Sequence, residues 1–125
     1  MVFEVLNADA QKPVHQLLMD SAWKMYENGH LSQAKKVNDL CIKESRLAGA
    51  LAAEAQCMIN KGTVFYVDGD YHSAYACYDS SYRLYEKFGD TTKTVDALRN
   101  MALTSRRLSR YQQGIRNCHA ALKLI

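Results

Sequence analysis

The residues of this 125-residue chain best suited to acid–base, nucleophilic or metal chemistry are four histidines and four cysteines, and their spacing offers little of it. His15, His30, His72 and His119 never fall four residues from one another or from a cysteine, the separation that sets two ligands on one helical face. Cys118 and His119 are adjacent, so on a helix they point in different directions. Cys41, Cys57, Cys77 and Cys118 form no CxxC, and the expectation for them is buried thiols in a reducing compartment. Without a Gly-rich phosphate loop, an HExxH or a serine elbow, the sequence predicts a chain that carries no catalysis, cofactor or metal. Recognition chemistry is better represented. Arg99, Arg106 and Arg110 recur at spacings of seven and four, along one stripe of a helix. Guanidinium groups fork onto carboxylates, which points to an acidic partner. Residues 91–125 hold seven Lys and Arg against Asp96 alone, a net +6, while residues 1–90 hold nine basic and twelve acidic residues, a net −3.

Those arginines sit within a repeating frame. The stretch from Gly62 to Tyr78 contains an apolar run ending at Val67, then Asp68-Gly69-Asp70, then a second run with Ala74, Tyr78 and Ser81 at spacings of four and three. Gly69 suits the left-handed residue that closes a helix, and Asp70 suits the cap of the next one. The unit is a helix hairpin, with the small residues Gly62 and Ala74 at its crossing. A shift of forty residues either way repeats it: Gly62 becomes Ala22 and Ala102, Gly69 becomes Gly29 and Ser109, and Ala74 becomes Ala34 and Gly114. Three copies in constant register predict an all-α stacked solenoid. The six expected helices are 13–28, 31–47, 51–67, 71–88, 91–108 and 111 to the end, in repeats of about 13–49, 50–89 and 90–125. At the third turn Ser109 stands where glycine is expected, which predicts a slightly different turn there.

Residues 1–12 precede the repeats, and Pro13 suits a helix first turn. Val2, Phe3, Val5 and Leu6 are expected as a flap on the first hairpin, with docking into a neighbour's groove as the alternative. Hydrophobic content of 48% suits one folded domain. No run of eighteen apolar residues exists, and no basic segment leads an apolar one at the N-terminus. The expectation is a cytoplasmic protein with no membrane span or secretory signal. The overall charge of +3 is too small to mark a nucleic-acid binder, and no basic–aromatic platform interleaves.

The series Gly62, Phe65, Gly69, Tyr71, Ala74, Tyr78, Ser81 resembles the tetratricopeptide repeat. The outer copies follow it at the small positions and less well at the large ones, Met25 and Asn38 in one, Ser105 and Cys118 in the other. The resemblance covers roughly residues 14–125, and the forty-residue spacing looks like that of kinesin light chains and Pins-type spindle adaptors. It implies three stacked hairpins, six antiparallel helices in all, forming a short right-handed superhelix. The first helix of each hairpin would line a concave groove.

By that register the groove takes Met19, Trp23 and Tyr26 from the first repeat, Asn60, Thr63 and Tyr66 from the second, and Arg99, Asn100, Leu103 and Arg106 from the third. Asn60 and Asn100 hold the position from which a side-chain amide, both donor and acceptor, bonds the backbone of an extended peptide. Asp20 holds it in the first repeat and accepts only. Trp23 is not the family's core tryptophan, which stands eleven residues before the turn glycine; Trp23 stands six before Gly29. With Met19 and Tyr26 it would form an apolar anchor pocket. The family's carboxylate clamp is missing, since of its positions only Asn60 matches. The resemblance therefore implies a non-catalytic adaptor or scaffold that binds an extended, acidic peptide segment. The alternative is a structural or self-assembling repeat module, part of a larger protein. Its exposed C-terminal helix, with Leu122, Leu124 and Ile125, would meet further repeats or a second copy.

Overall fold

Each break in the apolar pattern is made by one residue in the left-handed region. In the computed structural model, which describes residues 11–125, these are Gly29, Gly49, Gly69, Gly89 and Ser109. At each turn the amide that follows reaches back to close the helix. His30 N donates to Met25 O at 2.8 Å, Asp70 N to Phe65 O at 2.9 Å, and Arg110 N to Ser105 O at 2.8 Å, the closing bond of a Schellman turn. The turn at Ser109 is thus the same as its neighbours, a correction to the sequence reading. Its φ of 59° lies where an L-residue crowds its own carbonyl. The closing bond and the hairpin packing impose the conformation despite that cost.

The described residues contain six helices from Val14 onward: α1 (Val14–Glu27), α2 (Leu31–Leu47), α3 (Leu51–Val67), α4 (Tyr71–Phe88), α5 (Thr91–Arg107) and α6 (Tyr111–Leu122). The first five lie within a residue of their expected limits, while α6 ends at Leu122. Among the described residues there is no strand. Asp70 and Asp90 cap α4 and α5, accepting from Ser73 N at 3.2 Å and Lys93 N at 3.0 Å. Each helix packs on the next, and α1 also touches α3, so the elements form a consecutive stack. The expectations for Val2, Phe3, Val5 and Leu6 lie outside the described residues.

Small residues decide how closely the helices approach. Ala22, Ala34 and Ala74 are fully buried. A Cβ on Gly62 would stand 2.8 Å from the Tyr78 ring and 3.1 Å from Cys77 Cβ, so α3 and α4 meet at a distance only glycine permits. Tyr78, Leu98 and Met101 form the core at the second and third repeats. Two buried polar atoms lack a partner among the described residues, Asn38 Oδ1 and Ser105 Oγ. Both fall at large positions of the repeat pattern that the outer copies do not fill with a large apolar side chain.

Cys41 and Cys57 are joined in a disulfide between α2 and α3, with their Cα atoms 6.2 Å apart. This corrects the expectation of free thiols for that pair. Both lie eight residues from Gly49, on opposite sides of it, so the antiparallel hairpin brings them face to face. Cys77 and Cys118 are free. The same α2–α3 contact carries Lys35 on Asp68 at 2.6 Å and Arg46 on the buried Glu54 at 3.0 Å.

Candidate functional site: a cavity between α1 and α3

The helix period places Met19, Trp23 and Glu27 along one stripe of α1, and Gln56 and Asn60 along the neighbouring stripe of α3. Between these helices lies an open cavity of about 790 Å³ lined by these five side chains, among others. Trp23 is 40% exposed, and its ring centroid is 4.9 Å from that of Tyr26. The tilted contact supports the indole from behind: Tyr26 is half-buried and does not line the cavity, while Trp23 does. An indole this accessible has area left to bury against a ligand.

Asn60 is nearly buried and is oriented by a chain of hydrogen bonds. Tyr85 OH, on α4, donates to Gln56 Oε1 at 3.2 Å, and Gln56 Nε2 donates to Asn60 Oδ1 at 2.9 Å. With Oδ1 taken, Nδ2 is the part of the amide left to bond a ligand in the cavity. Burial pushes the Tyr85 phenol up to about 12 from an ordinary 10.0, and as a neutral hydroxyl it donates to the Gln56 carbonyl oxygen. The part played by Tyr85 was not legible in the repeat pattern, because Tyr85 belongs to the second helix of its hairpin. The glutamine was visible as a repeated pair: Gln16 Nε2 donates to Asp20 Oδ1 at 2.9 Å, four residues along, just as Gln56 does to Asn60.

The remaining predicted residues are distributed differently. Met19 lines the cavity with Trp23. Thr63 turns toward its own hairpin: Oγ1 donates to Ile59 O at 3.1 Å and lies 3.2 Å from Tyr78 OH. Tyr66 accepts from Arg107 Nε at 3.0 Å and packs edge-on against Tyr71, which ties α3 to α5. Arg99 and Leu103 are exposed on α5. Arg99 lies 3.8 Å from Asp96, an exposed pair of little energetic weight. Asn100 is half-buried. Asp96 stands where the second repeat has Gln56, so no side-chain relay orients Asn100 as it does Asn60. Arg106 lines a second groove, on α5 and α6, and does not line the Trp23 cavity.

Among the described residues no group of three or more His, Cys, Asp or Glu side chains is placed to hold a metal, and no helix is long and apolar enough to cross a membrane. No protein-family model matches this chain, and a search of curated proteins finds no significant match.

Proposed function

We propose that this chain is a non-catalytic peptide-binding module of the tetratricopeptide type, an adaptor that holds an extended segment along α1, α3 and α5. The observation that carries this reading is the Tyr85–Gln56–Asn60 chain. It fixes a nearly buried amide with its donor end free, in a cavity whose other wall carries Met19 and the exposed Trp23. A backbone carbonyl of the ligand would accept from Asn60 Nδ2, and an apolar side chain would lie on Trp23. Carboxylates further along would meet Arg99, beside Asn100.

The chain contains one tryptophan, so Trp23 emission reports occupancy directly. An array of immobilised 12-residue peptides, graded in acidity and each with one large apolar residue, supplies the ligands. Retained peptides should shift Trp23 emission, and Asn60→Ala with Asn100→Ala should release them while the helical spectrum stays intact. If the same peptides bind the double variant equally, or none is retained, the reading fails.

The compartment proposed with this function is the cytoplasm, and the Cys41–Cys57 bond is the observation it must answer to, because disulfides persist chiefly in oxidising compartments. Blocking thiols at lysis and weighing the intact chain decides the point. Two free thiols at Cys41 and Cys57 support a cytoplasmic location, and an oxidised pair favours an oxidising compartment instead.

A further inference from the structure

A further cavity, of about 480 Å³, opens between α4 and α6. Tyr75 of α4 lines it together with Arg110, at the start of α6, and Tyr111, Gln113 and Arg116 along that helix. Among the described residues no acid lines it. One hairpin earlier the same positions carry Lys35, Asp70, Tyr71, Ser73 and Ala76. There the charges are matched within the chain: Lys35 is paired with Asp68, and Asp70 accepts from the amide and hydroxyl of Ser73. In the third repeat Arg110 stands where Asp70 stood and Arg116 where Ala76 stood. Among the described residues neither arginine has a carboxylate partner. The cavity lies clear of the surface on which hairpins stack, because Asp70, His72 and Ala76 stay exposed although a further hairpin packs beyond them.

One chain of hydrogen bonds holds two of the lining groups. Arg116 Nη2 donates to Gln113 Oε1 at 2.8 Å, Gln113 Nε2 to Asn117 Oδ1 at 3.1 Å, and Asn117 Nδ2 to Tyr75 OH at 3.4 Å. Asn117, the middle of the chain, is 5% exposed. The Tyr75 oxygen accepts in this chain, so its own proton is left to donate into the cavity. Beside it are the Arg110 guanidinium and the N–H groups of Arg116 that Gln113 does not take.

We propose that this cavity binds the phosphate of a phosphorylated side chain on a partner protein. A phosphate monoester has a charge of about −1.5 to −2 and three acceptor oxygens. Two guanidinium forks and a hydroxyl match that set. A single phosphate suits the site better than a polyanion. The next cavity along the α4–α6 cleft shares Arg116 but is also lined by Glu86, so a run of phosphates following the cleft would meet a carboxylate. The site uses neither Trp23 nor Asn60, and its test is independent of what the other cavity takes.

The probe is a fluorescein-labelled peptide of glycine and alanine around one phosphoserine, titrated into the full chain and read by anisotropy. It should bind saturably, at least tenfold tighter than the same peptide with unmodified serine, and inorganic phosphate should displace it. Arg110→Ala and Arg116→Ala should each weaken binding about tenfold. Both residues are exposed, and the helical spectrum of each variant checks that the fold is kept. Arg116→Lys should recover only part of the loss, because an ammonium keeps the charge and lacks the fork. Tyr75→Phe should cost about threefold. Lys93→Ala removes an equal charge from α5, outside the cavity, and should change little. Any of four results overturns the proposal: no saturation, equal binding of the unmodified peptide, a loss in Lys93→Ala as large as in Arg116→Ala, or tighter binding of an oligoribonucleotide or of phosphoinositide vesicles through the same two arginines.

Discussion

Gly62 on α3 and Gly114 on α6 stand at equivalent crossings of the second and third hairpins, yet alanine should act on them differently. In a helix interior, replacing glycine by alanine ordinarily stabilises by about 1 kcal/mol, because glycine loses more backbone freedom. At Gly114 nothing opposes that gain. A Cβ there would lie 3.5 Å from Ala102 O and from Ser105 Cβ, which is ordinary contact. At Gly62 the same atom would lie 2.8 Å from Tyr78 Cε1 and 2.9 Å from Cδ1. The ring has nowhere to go: Tyr78 is 4% exposed, its hydroxyl is 3.2 Å from Thr63 Oγ1, and Cys77 Cβ is on the same side at 3.1 Å. Overpacking of this kind costs about 1–3 kcal/mol, so Gly62→Ala should be neutral to about 2 kcal/mol destabilising.

For a chain of this size 1 kcal/mol moves the melting temperature by roughly 3–5 °C. Thermal melts followed by circular dichroism should place Gly114→Ala a few degrees above the parent and Gly62→Ala at or several degrees below it. Adding Tyr78→Leu should relieve the clash, making the double variant less destabilised than the sum of the singles by about 1 kcal/mol or more. If Gly62→Ala stabilises as much as Gly114→Ala, then α3 and α4 do not meet as closely as the structure has them.

Ser109→Gly should stabilise by about 0.5–1 kcal/mol, since it removes the left-handed strain at φ 59° and gives back part of it in glycine entropy; urea unfolding reads it, and a loss would mean that the hydroxyl is needed. Ser105→Ala removes a buried oxygen that has no partner and should raise stability by up to about 1 kcal/mol, measured in the same way. Asp70 is held below the usual carboxylate range, first by the Ser73 hydroxyl and then by the Ser73 amide. Its cap is therefore in force above the unfolded pKa of about 3.8 and fades as pH falls through the lower folded value. The stability gap between the parent and Asp70→Ala should be present at pH 6 and close progressively below about pH 4. A gap independent of pH would exclude the charged cap.

The helices were legible in the sequence because their signals are local and repeated. Gly69 closes a helix and Asp70 opens one, and the forty-residue shift carries each reading to the other copies, so five helices fall within a residue of expectation. The turn at Ser109 was misjudged because residue preference was weighed without the Schellman bond that enforces the conformation. Cys41 and Cys57 look unrelated at a separation of 16, and become partners only once the hairpin about Gly49 is drawn. The candidate site was legible only in part. Trp23 and Asn60 line one cavity as the register implied, but Thr63 and Tyr66 share that register and make contacts within the stack. Register fixes the stripe a residue occupies. Whether a neighbour satisfies its polar atoms depends on the facing helices, α4 for Thr63 and α5 for Tyr66, where the repeat is less regular.

That irregularity gives the proposed ligand a direction. The three copies agree at the crossings and turns but differ along the proposed groove: apolar at Met19 and Trp23 on α1, a fixed amide at Asn60 on α3, and basic at Arg99 on α5. α1 touches α3, and Arg107 of α5 reaches Tyr66 of α3; taking the roughly 8–10 Å between packed helix axes for each step, two steps lead from α1 to α5. An extended chain covers about 3.3 Å per residue, so roughly six residues should separate the side chain on Trp23 from the carboxylate that meets Arg99. In a peptide series with one leucine and a single glutamate moved outward one residue at a time, affinity should peak near that separation. The peak should disappear in Arg99→Ala, while the leucine contact, read by Trp23 emission, persists. An affinity that rises with glutamate content alone, whatever its placement, would leave attraction between opposite charges and no groove.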